Sequence, residues 1–301
     1  FTAKKGISSD VMQAPSRRGS EGPGVTSDIT VTAVTGKPGI YSFTMPNAEN
    51  TNVTINATFA TPAQQLVSYV DESYETKEVN AYVLDETMSV LPVGFYVVPN
   101  GLTIDHVIDG NGSPSSGSVA IIIPDGKTLA VNGSFGMGCS LSFFGQANAT
   151  GKLDINATGN GISIGGSVTV AHLDVDIVSR TYDGISCPDG VTIIGCANGS
   201  NTVKVHSAST CISGGQKSVT IKYCDVDVVC EGSMIAIDCL ASVTIEGVST
   251  GDKVNSLIVR SAGDCIGTSN NPVTISYCNV EMTGTTIARS EERFSRNAET
   301  D

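Results

Sequence analysis

From residue 161 onward, apolar and polar residues alternate in short runs that keep returning in the same form. A small residue and Ile are followed by a turn and then by Val-Thr-Ile or Val-Thr-Val. The five copies are Gly161-Ile162 with Val168-Thr169-Val170, Gly184-Ile185 with Val191-Thr192-Ile193, Cys211-Ile212 with Val219-Thr220-Ile221, Ala236-Ile237 with Val243-Thr244-Ile245, and Cys265-Ile266 with Val273-Thr274-Ile275. Alternation at period two is the mark of a strand with one buried face. The Val-Thr pairs start 23, 28, 24 and 30 residues apart. Several short strands per period, separated by Gly, Asn and Ser turns, predict one turn of a parallel β-solenoid for each copy. Leucine-rich repeats share this period, but Leu is too scarce here, and a propeller blade needs a longer one.

Weaker copies precede the clear ones. Val97-Val98, Leu102-Thr103-Ile104, Val119 to Ile123, Thr128 to Val131 and Leu141 to Phe144 read as further strands, with Asp125-Gly126 and Asn132-Gly133 as turns. The solenoid is therefore expected over 63–288. Residues 1–28 are polar, without periodicity, and read as a disordered lead. Between the two, 29–62 reads as a short antiparallel unit with strands near Ile29–Val34, Ile40–Met45 and Val53–Phe59. The expected fold class is all-β: a right-handed parallel β-helix preceded by a short antiparallel β unit.

The repeat also bears on the nine cysteines. Three residues past each Val-Thr-Ile comes an equivalent position, occupied by Leu173, Cys196, Cys224, Val248 and Cys278. Cys187, Cys211, Cys239 and Cys265 form a second set beside the repeated Ile. A column shared by Leu, Val and Cys predicts reduced thiols serving as small apolar core residues. Disulfides between neighbouring rungs are the alternative, and metal binding is disfavoured because no His lies at ligand spacing.

Composition narrows the function. Against 17 basic residues stand 30 acidic ones, a net charge of −13, which repels phosphate backbones and argues against nucleic acid as a partner. No apolar run is long enough for a membrane-spanning helix, and with no Trp a Trp platform is excluded. A monomer is expected. The last stretch, 289–301, breaks from the Val/Thr/Gly-rich text and resembles the in-frame translation of a sequencing adapter. On that reading the natural chain runs to about Ala288, stops within the solenoid, and comes from a metagenomic gene.

Two resemblances follow. Tyr41-Ser42-Phe43-Thr44-Met45-Pro46, with Val53 to Phe59, resembles the end of an internalin-type B repeat, a stalk module. Tyr96-Val97-Val98, Pro124-Asp125-Gly126-Lys127-Thr128-Leu129, Ser140 to Gln146, Thr150 to Leu153 and Gly159-Asn160-Gly161-Ile162 together resemble a right-handed, pectin-lyase-like β-helix of surface proteins from gut Firmicutes. Asp183-Gly184-Ile185 shares the texture of carbohydrate-binding β-helix proteins. The resemblance implies a secreted, non-catalytic adhesin or carbohydrate-binding module on a bacterial surface, with its signal and anchor outside this chain. A stalk or spacer without ligand is the alternative, and a polysaccharide lyase or glycosidase a distant one.

Three kinds of chemistry are conceivable on such a scaffold. A glycosidase needs paired carboxylates. Asp174/Asp176 and Asp225/Asp227 share a strand face, but Leu173, Val175 and Ile177 alternate with the first pair and put it on the solvent side. Arg180, Lys222 and Arg260, the candidates for a lyase base, read as single charges without partners, and the three His residues stand apart. No catalytic residue is therefore assigned. Calcium is the one cofactor the acids suggest, through Asp174, Asp176, Asp225, Asp227 and Glu281 on matching strands. A polysaccharide or surface glycan is the remaining partner: Tyr223 and Tyr277, each preceding a column Cys, would lie two rungs apart, about 10 Å, with Tyr182 as a weaker companion.

Overall fold

The computed structural model describes residues 3–4, 31–33, 40–43, 63–110, 117–249, 254–285 and 288–289. The chain divides into two units, Phe1–Ala63 and Gln64–Asp301. In the first, Val31–Ala33 pairs antiparallel with Ile40–Phe43, which also pairs with Ala3–Lys4. That last strand falls inside the polar lead, where no element was expected. The strand read at Val53–Phe59 lies outside the described residues, as does 290–301.

The second unit is all-β, a parallel solenoid of about seven turns. Each turn visits three sheets in order. A short strand of the Val-Thr sheet, such as Val168–Ala171, leads round a corner into a long strand, Leu173–Ser179, and then into a two- or three-residue strand, Ile185–Ser186. The next turn repeats this at Val191–Ile194, Asn201–Ser207 and Ile212–Ser213. The pairing is in register: Val168, Val191, Val219, Val243 and Val273 stand side by side, and so do the Thr residues after them. Every Val-Thr-Ile copy read from the sequence is thus one rung of one sheet. No helix is present among the described residues, and none could cross a membrane.

Alternation puts one side chain in two inside, where stacked columns of Val, Ile and Leu form a continuous core. Each column gains by contact with rungs above and below, which is why single rungs cannot fold alone. Among its largest fully buried side chains are Phe135 and Phe143, edge to face at 5.2 Å. Phe143→Ala is expected to cost about 3–5 kcal/mol, seen as a lower thermal midpoint. All nine cysteines are free thiols, and seven are buried.

Before the first rung, Gln64–Val70 and Thr76–Val83 make an antiparallel hairpin. Its second strand joins the Val-Thr sheet only through Tyr82 and Val83. The rest lies over the sheet's outer side, where Val67 and Tyr69 meet Val97, Ile122, Phe144 and Ala171 in a second apolar cluster. Tyr69 lies 4.9 Å from Phe144, ring to ring.

The register corrects one column. Cys196 and Val248 do not stand beside Leu173, Cys224 and Cys278. Those places belong to Asn201 and Asn255, which pair with Cys224 and Cys278. The reason is that, from Gly145 onward, the corner before the long strand takes two forms in turn. On one rung it is a single residue; on the next it is a loop, and Cys196 and Val248 lie in loops. The unequal spacing of the Val-Thr pairs carries this two-rung period.

Candidate functional site: the aromatic corner and the acidic columns

The single-residue corners are His172, Tyr223 and Tyr277, all with left-handed backbone at φ 58°, 57° and 54°. Side-chain-bearing residues seldom sit there. They are held by a backbone ladder along the corner: Gly145 N donates to Ala171 O, His172 N to Ile194 O, Gly195 N to Lys222 O, Tyr223 N to Glu246 O and Gly247 N to Ser276 O, at 2.7–2.9 Å. The loop rungs contribute glycine because the carbonyl of the next corner residue lies directly over it. A Cβ on Gly145, Gly195 or Gly247 would run into the carbonyl oxygen of His172, Tyr223 or Tyr277.

The hairpin adds a third tyrosine to this edge. Tyr74, also left-handed at φ 65°, sets its ring edge-on to His172 at 4.9 Å and tilted to Tyr223 at 6.2 Å. Its hydroxyl donates to Gly195 O at 3.0 Å, and burial pushes the phenol well above its ordinary range. His172 is buried, whereas Tyr223 is half-buried and Tyr277 exposed. The edge therefore carries an aromatic row of Tyr74, Tyr223 and Tyr277. Tyr182 does not belong to it. It is exposed, but it lies in the turn between the long strand and the short one.

The acidic residues fall in two columns of the long-strand sheet. One reads Lys152, Asp174, Thr202, Asp225, Ser256, Asn279, and the other Asp154, Asp176, Lys204, Asp227, Ile258, Glu281. In the first, the carboxylates hold the start of the next long strand. Asp174 Oδ1 accepts from Thr202 N at 2.9 Å and from Asn201 Nδ2 at 3.3 Å, and Asp225 Oδ1 accepts from Ser256 N at 2.8 Å and Asn255 Nδ2 at 3.3 Å. In the second, Lys152 Nζ reaches Asp154 at 3.0 Å and Asp176 at 3.4 Å, and Arg260 reaches Asp227 at 3.3 Å and Glu281 at 3.2 Å. Asp174 and Asp225 are two rungs apart with Thr202 between, and Lys204 separates Asp176 from Asp227. Among the described residues no three His, Cys, Asp or Glu side chains converge as a metal site.

The charges read as single also have partners. Arg180 donates to Asn156 Oδ1 at 3.0 Å and Lys222 pairs with Glu246 at 2.7 Å. His106 Nε2 lies 3.2 Å from Met88 O, and His206 Nε2 lies 3.0 Å from Glu231. Sequence reasoning did not single out Asp238. It stands on the short-strand sheet beside Ser213, where burial and then the charge of Asp183 hold its carboxyl above the usual range.

Fold and surface together define a parallel β-solenoid protein whose distinctive edge is a regular aromatic corner. Compared with known proteins, the chain matches no family model, no curated protein and no solved structure.

Proposed function

We propose that the solenoid is a non-catalytic carbohydrate-binding module at a bacterial cell surface, of the pectin-lyase-like β-helix type, and that it holds extended glycan chains along the row Tyr74, Tyr223 and Tyr277. The observation that carries this reading is the repetition of corner tyrosines on alternate rungs. Strands stack at about 4.8 Å, so Tyr223 and Tyr277 are spaced by about 10 Å. Aromatic faces fixed by backbone geometry lose little conformational entropy when a sugar ring stacks on them. The flanking Lys222, Glu246 and peptide carbonyls supply hydrogen-bond partners for hydroxyl groups.

The test is binding of the whole chain to plant, host and microbial polysaccharides, with calcium and then with chelator. Tyr277→Gly keeps the left-handed corner unstrained while removing the ring. At least a tenfold weaker binding is expected from it, about 1.4 kcal/mol, with Tyr182→Ala unchanged. Chelator is expected to have no effect, since the acids are engaged within the protein. A folded chain that binds no polysaccharide would favour the second reading, a structural spacer. What supports that one is the use of surface charges such as Lys152 and Arg260 to tie rung to rung.

A further inference from the structure

The hairpin tip and the corner beneath it meet at one unusual group. His172 is only 4 % exposed, and its Nε2 has no hydrogen-bond partner. A neutral imidazole left with one unmet nitrogen costs little more than any orphan polar atom. An imidazolium there would be a buried charge with an unsatisfied donor, which is far more costly. The ring lies under Tyr74, and the tip is otherwise held to the corner region by few bonds: Val70 N to Gly145 O at 3.0 Å, Gln146 Nε2 to Ser68 O at 2.9 Å, and the Tyr74 hydroxyl to Gly195 O.

We propose that the hairpin Gln64–Val83 is an acid-released strap, in which protonation of His172 undocks the tip and uncovers the apolar strip containing Phe144 and Ala171. Undocking lets water reach the ring and solvate both nitrogens, so the open form accepts the proton more readily than the closed one.

The charged groups around the ring do not reverse this. On the hairpin, Asp71 faces His172 and attracts its proton, but burial outweighs that attraction and holds the imidazole below its usual range. The Asp71 carboxylate is committed elsewhere, to Lys77 Nζ at 2.6 Å and to the backbone N–H groups of Ser73 and Glu75. Burial works to raise that carboxyl, yet these hydrogen bonds hold it below its usual range, so it stays ionised throughout. Glu75 also pairs with Lys77, and Glu72 lies on the same tip. From the neighbouring rungs come the Lys222–Glu246 pair, the Tyr223 phenol and the thiols of Cys196 and Cys224, which face Tyr74. None is within hydrogen-bonding reach of Nε2.

The sign follows from linkage. A histidine whose closed-state value lies below about 6.5 favours the closed form at neutral pH and loses that preference as pH falls through 6.5. With the open form titrating near 6.5, lowering the pH from 7.5 to 5.0 raises the opening constant by up to about thirty-fold.

Amide hydrogen exchange of the whole chain, corrected for intrinsic rates, reads this directly. Residues 66–77 are expected to lose protection between pH 7.5 and 5.0 and to regain it on return, while the inner rungs stay protected. His172→Asn, which tolerates a left-handed backbone but carries no titratable group, is expected to show no pH dependence there. An equal acid-induced loss in His172→Asn, or none in the unaltered chain, overturns the proposal. Should the variant not fold, a ring titration of His172 by NMR decides: a midpoint at or above 6.5 overturns the proposal, and one below it, together with acid-dependent exchange in the unaltered chain, upholds it.

Discussion

Replacing Asn255 with Leu is expected to cost about 4 kcal/mol, although both neighbouring rungs carry Cys, and a more distant one Leu, at the same place. The side chain is fully buried. Its Oδ1 accepts from Val248 N at 3.0 Å, and its Nδ2 donates to Gly199 O at 3.0 Å and to Asp225 at 3.3 Å. It thereby satisfies one loop on its own rung and another two rungs away. Asn201 does the same, accepting from Cys196 N at 2.9 Å and donating to Ala149 O at 2.8 Å. A Leu side chain of similar size fills the space but leaves the buried Val248 N–H without its acceptor, worth about 1–3 kcal/mol, and withdraws the amide donor from Gly199 O and Asp225. The reciprocal change Leu173→Asn is also expected to destabilise, because its rung turns through His172 alone and offers no loop for the amide to bond. Thermal unfolding of both variants checks this. A fall of roughly 8–16 °C is expected for Asn255→Leu at this chain size, and a shift within 2 °C would show that the loops do not depend on the amide.

That dependence was written in the sequence only indirectly. The inward columns were legible because strand alternation is a local signal: Val168, Val170 and their equivalents repeat in Val-Thr-Ile copies that need no knowledge of neighbours. The core role of Cys224 and Cys278 was legible for the same reason. Column membership past the corner was not, since counting three residues on assumes a constant corner length. Asn201 and Asn255 were not singled out, and Cys196 and Val248 took their place. The spacings of 23, 28, 24 and 30 carry the alternation, yet its meaning depends on which carbonyl lies over which glycine. The partners of the acids were hidden similarly. Asp174 and Asp225 do point outward, as period two requires, but the Thr202 and Ser256 backbone groups they accept from belong to other rungs. The hairpin at Gln64–Val83 has weak alternation, and the burial of His172 depends on that hairpin crossing its corner. A lone His offered no sign of it.

The corner glycines give the sharpest contrast of all. Gly195→Ala is expected to lower stability by at least about 3 kcal/mol, roughly 6–12 °C in thermal midpoint, though it adds a single methyl group. The new Cβ would meet the Tyr223 carbonyl oxygen and come within 3.0 Å of the Cys224 sulfur. Neither can withdraw. The Gly195 N–H is bonded to Lys222 O at 2.8 Å and the Tyr223 N–H to Glu246 O at 2.7 Å, so parting the two rungs at this point breaks the ladder along the whole edge. The damage should also reach the hairpin, because Gly195 O is the acceptor for the Tyr74 hydroxyl; faster hydrogen exchange at residues 70–76 is the expected companion result. Gly159→Ala is the matched control. A Cβ there meets nothing within 4 Å, so the substitution is expected to be neutral or to stabilise by about 0.4–1 kcal/mol through the unfolded chain. If both variants melted together with the parent, the rungs would be yielding at the corner, and close stacking could no longer explain why glycine alternates there with left-handed His and Tyr.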